Sequence, residues 1–252
     1  MNYYYAESNI TVTIPSRDLR TLARESLAGK WKIAAVGTLV FMAVVSLPSM
    51  ILLTVLHNSF AADLYTILVT GAFSLGYSVF ILNIFRNKEV DYAQIFCGFE
   101  RILKTMGLYL YICLFVFLWS LLFVIPGIIA AIRYSQSFFI LADYPDMPVP
   151  EIVNESKRMM RNNKGKYFCL VLSFFGWMIL ASLPASFFST IFAEGGIYAA
   201  GSIFLFEIVY FVLSAGYLWV TPYVECSLAA MYEIMRGNLR PGVIDTTATI
   251  EE

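Results

Sequence analysis

The amino-acid sequence predicts an all-α fold: a polytopic transmembrane bundle of six membrane-crossing helices, arranged as three hairpins. Three observations predict it, namely an apolar composition, a series of long apolar runs, and cations that gather on one side of those runs. Hydrophobic residues make up 59% of the 252-residue chain and charged residues 14%, which is outside the range of soluble globular domains. The formal net charge of −1 provides no basic footprint, so nucleic acid is excluded as a partner.

Several apolar runs approach the roughly 20 residues that a helix needs to cross a bilayer. The run at 107–142 is too long for one ordinary span, is interrupted by Pro126-Gly127, and contains Arg133. It is either one long kinked helix or two short helices joined by a turn at Pro126-Gly127. On the two-helix interpretation, the predicted spans are 33–56, 64–85, 107–125, 127–142, 167–193 and 199–224.

The distribution of Lys and Arg favours the two-helix interpretation, because cations in short loops stay on the cytoplasmic side. With six crossings, sixteen of the 17 cations lie on that side, and Arg133 is the exception. The opposite loops, 57–63 and 194–196, contain no Lys or Arg. A single crossing of 107–142 would place the most basic loop outside. The sequence therefore predicts that both termini are cytoplasmic.

An internal repeat predicts the same architecture. Each third of the chain has an amphipathic segment and basic residues followed by an apolar run with a proline. Trp119 and Pro126 match Trp177 and Pro184 at one offset of 58 residues, and Pro48 occupies the equivalent place in the first third. The alternative is a chance likeness among apolar helices rich in Leu, Ser and Pro.

The amphipathic segments predict interfacial helices over 16–28, 91–105 and 150–163, one before each hairpin. Asp91 and Gln94 form a capping box at the start of the second. Cations occupy the polar faces, and these are Arg17, Arg20, Arg24, Arg101, Lys104, Lys157, Arg158 and Arg161. They are candidates for binding an anionic lipid or an amphipathic peptide. The alternative is that they only anchor the topology.

Two ionisable residues, Arg133 and Glu207, fall within predicted spans, where burial in lipid is costly. Each lies six residues from an outer turn, so both are roughly 9 Å deep. The sequence predicts that they pair, either to lock the bundle or to line a polar cavity. Ala72 and Gly76, at a spacing of four, predict a close helix contact.

No motif predicts a catalytic residue, a metal site or a cofactor. His57 is the single histidine, and the four cysteines include no C-x-x-C pair. No serine has a credible histidine base, so hydrolytic chemistry has no nucleophile. Asp143 and Asp146 could bind a cation, but the prolines around them indicate a turn.

An ordered set of short motifs between Phe96 and Tyr232 resembles the bacterial integral-membrane family called domain of unknown function 975. The motifs are Phe96-Cys97-Gly98-Phe99, Ile125-Pro126-Gly127, Tyr134-Ser135, Leu141-Ala142-Asp143-Tyr144-Pro145, Glu155-Ser156-Lys157-Arg158-Met159-Met160, Lys166-Tyr167-Phe168, Leu172-Ser173-Phe174-Phe175-Gly176-Trp177, Pro222-Tyr223, and Ala230 with Tyr232. The resemblance implies a protein of the bacterial inner membrane, and it supplies no catalytic residue.

The domain organisation predicted is an N-terminal segment (1–15), one helical domain (16–236) and a disordered tail (237–252). The function predicted is that of a non-enzymatic accessory or envelope-maintenance factor. Its expected partners are the lipid bilayer and an anionic lipid, an amphipathic peptide or another membrane protein. The alternative is a small transporter or lipid translocator that uses Arg133 and Glu207.

Overall fold

The computed structural model describes residues 10–54, 56, 58–194 and 200–239. These residues form eleven α-helices: α1 (Ser16–Leu27), α2 (Trp31–Thr54), α3 (Ser59–Phe85), α4 (Ile102–Leu122), α5 (Val124–Tyr134), α6 (Ser137–Asp143), α7 (Val149–Met159), α8 (Lys164–Leu172), α9 (Phe175–Glu194), α10 (Ala200–Leu213) and α11 (Tyr217–Met235). Two 3-10 helices, Tyr92–Arg101 and Ser214–Gly216, complete the described part, which contains no strand. The all-α prediction is confirmed.

Six stretches of the described chain are long and apolar enough to cross a membrane. They are Trp31–Leu53, Ser59–Phe85, Tyr92–Leu122, Val124–Asp143, Phe175–Phe192 and Ile208–Met235. The number agrees with the prediction, although the bounds differ. The predicted span 167–193 is divided between α8 and α9, and 199–224 between α10, a 3-10 turn and α11.

The long run at 107–142 breaks into two helices at Phe123, whose backbone is extended with φ −162° and ψ 154°. α4 and α5 then lie against each other. The sequence placed the break at Pro126-Gly127, which is wrong by three residues. Pro126 instead lies in the first turn of α5, where its missing N–H costs nothing. A Cβ on residue 127 would lie 2.0 Å from the Ser120 hydroxyl oxygen, so glycine permits the contact between the helices.

Part of the buried core is formed where α1 packs on α11. Leu19, Ala23 and Leu27 of α1 are fully buried, and α1 packs on the second half of α11. That half is itself buried from Cys226 to Met235. On α4 and α9, by contrast, apolar residues such as Leu121 and Phe187 are more than half exposed. The apolar face of α1, which the sequence assigned to the bilayer interface, is therefore covered by protein.

The segment 91–105 is a 3-10 helix that runs into α4, and the prediction of one amphipathic α-helix is wrong there. Asp91 does cap it, since its side chain accepts a hydrogen bond from the Ala93 amide at 3.1 Å. Gln94 does not complete a capping box, because its side-chain oxygen accepts a hydrogen bond from Asn83 instead of from the Asp91 amide.

This 3-10 helix lies very close to α3. A Cβ on Gly76 would lie 1.9 Å from the Ile95 carbonyl oxygen, and a Cβ on Gly98 would lie 1.9 Å from that of Ala72. The close contact predicted from Ala72 and Gly76 is therefore present, and its partner is the 3-10 helix.

Pro48 lies inside α2, and it cannot donate to the carbonyl of Val44 one turn earlier. The hydroxyl of Tyr65 on α3 donates to that carbonyl at 2.5 Å. An unpaired backbone carbonyl costs several kcal/mol in an apolar layer, so this bond lets α2 keep its proline.

The predicted N-terminal segment is partly fixed to the helical domain. Asn163, at the turn between α7 and α8, accepts from the Val12 amide at 2.8 Å and donates to the Ile10 carbonyl at 2.9 Å. The predicted tail lies outside the described residues from position 240 onward.

Candidate functional site: an arginine stripe beside an aromatic slot

Three arginines form a stripe along α1, beside the face that packs on α11. Arg17, Arg20 and Arg24 recur at intervals of three and four residues, which places them on one side of a helix. None of them takes part in an ion pair within the described chain. Like charges one turn apart repel by a few tenths of a kcal/mol, so the stripe favours a bound anion.

An aromatic slot of about 310 Å³ opens beside this stripe. It is lined by Arg24, Trp31, Phe174, Trp177, Trp219, Val220 and Tyr223. Tyr223 is at its centre, with its ring centroid 4.9 Å from that of Phe174 and 6.1 Å from that of Trp31. Trp177 and Trp219 are more than half exposed, so the slot is open to the surroundings.

Two of the three arginines, Arg20 and Arg24, contact aromatic residues of the slot. A terminal nitrogen of Arg24 donates to the Tyr223 hydroxyl at 3.2 Å, and this bond raises the pKa of Arg24 above its ordinary value. The guanidinium of Arg20 lies 5.9 Å from the centroid of the Phe174 ring. The enclosed Nε of Arg20 has no hydrogen-bond partner in the described chain. The site thus combines cations without counter-ions and an open aromatic surface.

The other predicted lipid-binding cations are mostly used within the protein. Arg101 pairs with Asp146 at 2.7 Å, and this contact lowers the pKa of Asp146. Lys104 donates to the Pro145 carbonyl, and Arg158 pairs with Glu155 at 2.6 Å.

Lys157 and Arg161 remain candidates for lipid binding, as the sequence predicts. Lys157 lies 5.5 Å from the centroid of the Tyr134 ring, and Arg161 is exposed. The stripe on α1 therefore differs from the other cations because an apolar slot lies next to it.

The predicted pair of Arg133 and Glu207 stays a prediction, because the Glu207 side chain lies outside the described residues. Arg133 lies in the last turn of α5, and its carbonyl accepts from the Ser156 hydroxyl of α7 at 2.8 Å. α5 packs on α4, α7 and α8, whereas α10 packs on α2, α9 and the 3-10 turn after it.

A charged network that sequence reasoning missed joins the ends of α3, α6 and α11. Arg86 makes two parallel hydrogen bonds to Asp143, at 2.7 and 2.8 Å, and its Nε donates to Glu233 at 2.7 Å. Tyr232 donates to Asp143 and Asn238 donates to Glu233. Asp143 and Asp146 thus have different arginine partners, and nothing in the described structure unites them in a cation site. The only signal in the sequence was that these residues lie at helix ends.

A larger cavity of about 750 Å³ lies between α2, α3 and α10. Its lining is mostly apolar, with Met42, Leu53 and Phe211 among its residues. Asp63 and Thr66 of α3 supply polar groups. A cavity of this size can hold a drug-sized molecule or part of a lipid.

The fold has the organisation of a multi-pass membrane protein, because six of its helices are long and apolar enough to cross a membrane. Residues 14–132 and 121–238 match the family described as protein of unknown function (DUF975). The chain belongs to this family, as the motifs between Phe96 and Tyr232 indicated. No curated protein and no solved structure matches the chain.

Proposed function

We propose that this protein is a non-enzymatic accessory factor of the bacterial inner membrane that binds an anionic lipid at the arginine stripe and aromatic slot. One observation carries the proposal: Arg20 and Arg24 have no carboxylate partner in the described chain. Arg24 lines a slot that contains three of the four tryptophans, and Arg20 lies over the ring of Phe174, which also lines it. A lipid phosphate would accept hydrogen bonds from the arginines. The glycerol and the start of the acyl chains would lie on the tryptophan rings.

The proposed topology places this slot at the cytoplasmic surface of the membrane. Three transmembrane hairpins with both termini inside put α1 and α7 at that surface, in agreement with the positive-inside rule. Tryptophan favours the boundary between headgroups and acyl chains, and anionic lipids are enriched in the cytoplasmic leaflet. Each cation near that surface is worth about 1 kcal/mol of attraction to anionic lipid.

Quenching of tryptophan fluorescence by brominated lipids tests this function. Detergent-solubilised protein is titrated with phosphatidylglycerol or phosphatidylcholine brominated on the acyl chains. Phosphatidylglycerol should half-saturate the quenching at the lower concentration. The double variant Arg20→Gln with Arg24→Gln should raise that concentration about 25-fold, which corresponds to the loss of two such cations.

The matched control is Lys88→Gln with Lys164→Gln, which removes two cations that do not line the slot and are not among the predicted lipid-binding residues. It should leave the titration unchanged if the stripe is a specific site. Equal quenching by the two lipids, or equal effects of the two double variants, would reject the lipid site. An amphipathic peptide or a partner membrane protein would then be the better candidate.

A second candidate function is lipid translocation, and the cavity between α2, α3 and α10 favours it. Proteoliposomes test this function. A fluorescent lipid should move between the leaflets, and Ala215→Trp in the cavity wall should slow that movement. This result would support translocation over an accessory role.

A further inference from the structure

The cavity between α2, α3 and α10 has polar side chains along two of its walls. Ser59, Asp63 and Thr66 line it at intervals of four and three residues, which places them on one side of α3. Ser46 and Ser49 of α2 line it at an interval of three. The remaining lining is mostly apolar, so the cavity is amphipathic.

Three of the hydroxyl groups in the cavity wall donate their proton to the backbone of their own helix. Ser49, Thr66 and Ser214 bond to the carbonyl three or four residues earlier, at 2.8, 2.9 and 2.8 Å. A hydroxyl has one proton and two acceptor lone pairs, so these three can offer only acceptors to a ligand. A molecule that donates hydrogen bonds therefore fits the cavity better than one that accepts them.

Asp63 adds a negative charge that the described residues do not neutralise. It is exposed and takes part in no ion pair within the described chain. The cavity wall belongs to the stretches 33–85 and 167–235, and neither contains a Lys or an Arg. The single histidine, His57, lies outside the described residues. Arg86 follows Asp63 by 23 residues, which is about 35 Å along a helix.

The dipole of α3 does not account for a carboxylate at this position. α3 begins at Ser59, and the Asn58 side chain caps it by accepting from the Ala61 amide at 2.9 Å. The attraction between an acidic side chain and a helix start falls off within the first turn, and Asp63 is the fifth residue. The charge of Asp63 is therefore available to a cation from outside the chain.

The size and walls of the cavity indicate a mostly apolar ligand. Its volume of about 750 Å³ lies within the range of roughly 300 to 1,000 Å³ that is usual for small-molecule sites. The hydrogen bond from the Tyr65 hydroxyl to the Val44 carbonyl joins α2 to α3 next to the lining residues Val45 and Thr66. The cavity is thus held open by a bond between two of its walls.

We propose that this cavity binds a cationic amphiphile, a molecule with a primary ammonium head and one apolar tail. The ammonium donates to the Asp63 carboxylate and to hydroxyl oxygens of the wall, and the tail lies against Met42, Leu53 and Phe211. A phospholipid is a poorer fit, because the wall has no cation for its phosphate. The site is separate from the arginine stripe, and its binding does not depend on whether a lipid crosses the membrane there.

Photolabelling with a long-chain alkylamine that carries a diazirine on its tail tests the site. The whole protein in detergent is irradiated with this probe, and the labelled residues are identified by mass spectrometry. Labels should fall on the cavity lining of α2 and α3, within 39–53 and 59–66. Dodecylamine should compete with the probe at an about ten-fold lower concentration than dodecanol, which has the same tail and a neutral head, because hydrogen bonds to charged groups are the stronger ones.

Asp63→Asn keeps the shape of the side chain and removes its charge. It should raise the competing concentration of dodecylamine about ten-fold and leave that of dodecanol unchanged. Glu89→Gln is the matched control, since it removes an exposed carboxylate that does not line the cavity, and it should change neither.

The proposal is overturned if dodecanol competes as well as dodecylamine, or if Asp63→Asn has no effect, because the cavity is then only an apolar groove for acyl chains. Labels that fall outside the cavity lining would also overturn it. The brominated-lipid titration reports on the arginine stripe, so either proposal can fail without the other.

Discussion

Arg86 is the residue through which three helix ends are connected. Its guanidinium binds Asp143 with two hydrogen bonds and Glu233 with a third, and Asp143 raises its pKa further above the ordinary value. Glu233 is almost fully buried, whereas Arg86 and Asp143 keep some exposure. Bidentate geometry and enclosure make such a network stronger than an isolated surface pair.

Removal of the arginine should therefore be costly. Arg86→Met leaves Asp143 and Glu233 without the arginine that pairs with both, and we expect it to reduce the free energy of unfolding by about 3 kcal/mol. Thermal unfolding of the purified protein in detergent measures this. Adding Glu233→Gln to Arg86→Met should recover part of the loss, because one of the unpaired charges is removed. A double variant that is less stable than Arg86→Met would contradict the network.

Single residues show where the sequence was informative. Arg17, Arg20 and Arg24 were singled out by helical spacing alone, and they have no acidic partner among the residues that the structure describes. Arg101 and Arg158 had the same local signal, yet they pair with carboxylates. For Arg101 the partner, Asp146, is 45 residues away. Local periodicity contains no information about such a contact.

At the scale of elements, the contact between α3 and the 3-10 helix determines how closely the middle of the chain packs. The backbones approach so closely that neither Gly76 nor Gly98 leaves room for a methyl group. The 3-10 conformation at Tyr92–Arg101 accompanies this contact. It explains why the amphipathic pattern, which predicts an ordinary α-helix, gave the wrong helix type.

Gly76→Ala tests this contact. The added Cβ would meet the Ile95 carbonyl, which belongs to the backbone and cannot rotate away, so we expect a loss of at least about 3 kcal/mol. Gly107→Ala is the matched control, since Gly107 is also helical and a Cβ there meets nothing within 4 Å. It should be neutral or stabilise the protein by up to about 1 kcal/mol. Equal stability of the two variants in thermal unfolding would show that the contact is not tight.

For the whole molecule, the topology is the central prediction. In a cysteine-free background, Asn154→Cys on α7 should react with a membrane-impermeant maleimide only after the cells are opened, and Ser59→Cys at the start of α3 should react from outside. Both positions are exposed, so lack of labelling would not come from burial. External labelling of Asn154→Cys would refute the six-crossing arrangement, and with it the cytoplasmic location of the lipid slot.

The sequence by itself determined the class of protein and the number of long apolar helices, because composition and helix length are local properties. Tertiary structure decided the rest. It joined Arg86 to Asp143 and Glu233, enclosed the apolar face of α1, and assembled the slot from Trp31, Trp177 and Trp219, which are up to 188 residues apart. The physical reason is that apolar faces are equally satisfied by lipid and by protein. Only the packed chain determines which of the two covers each face.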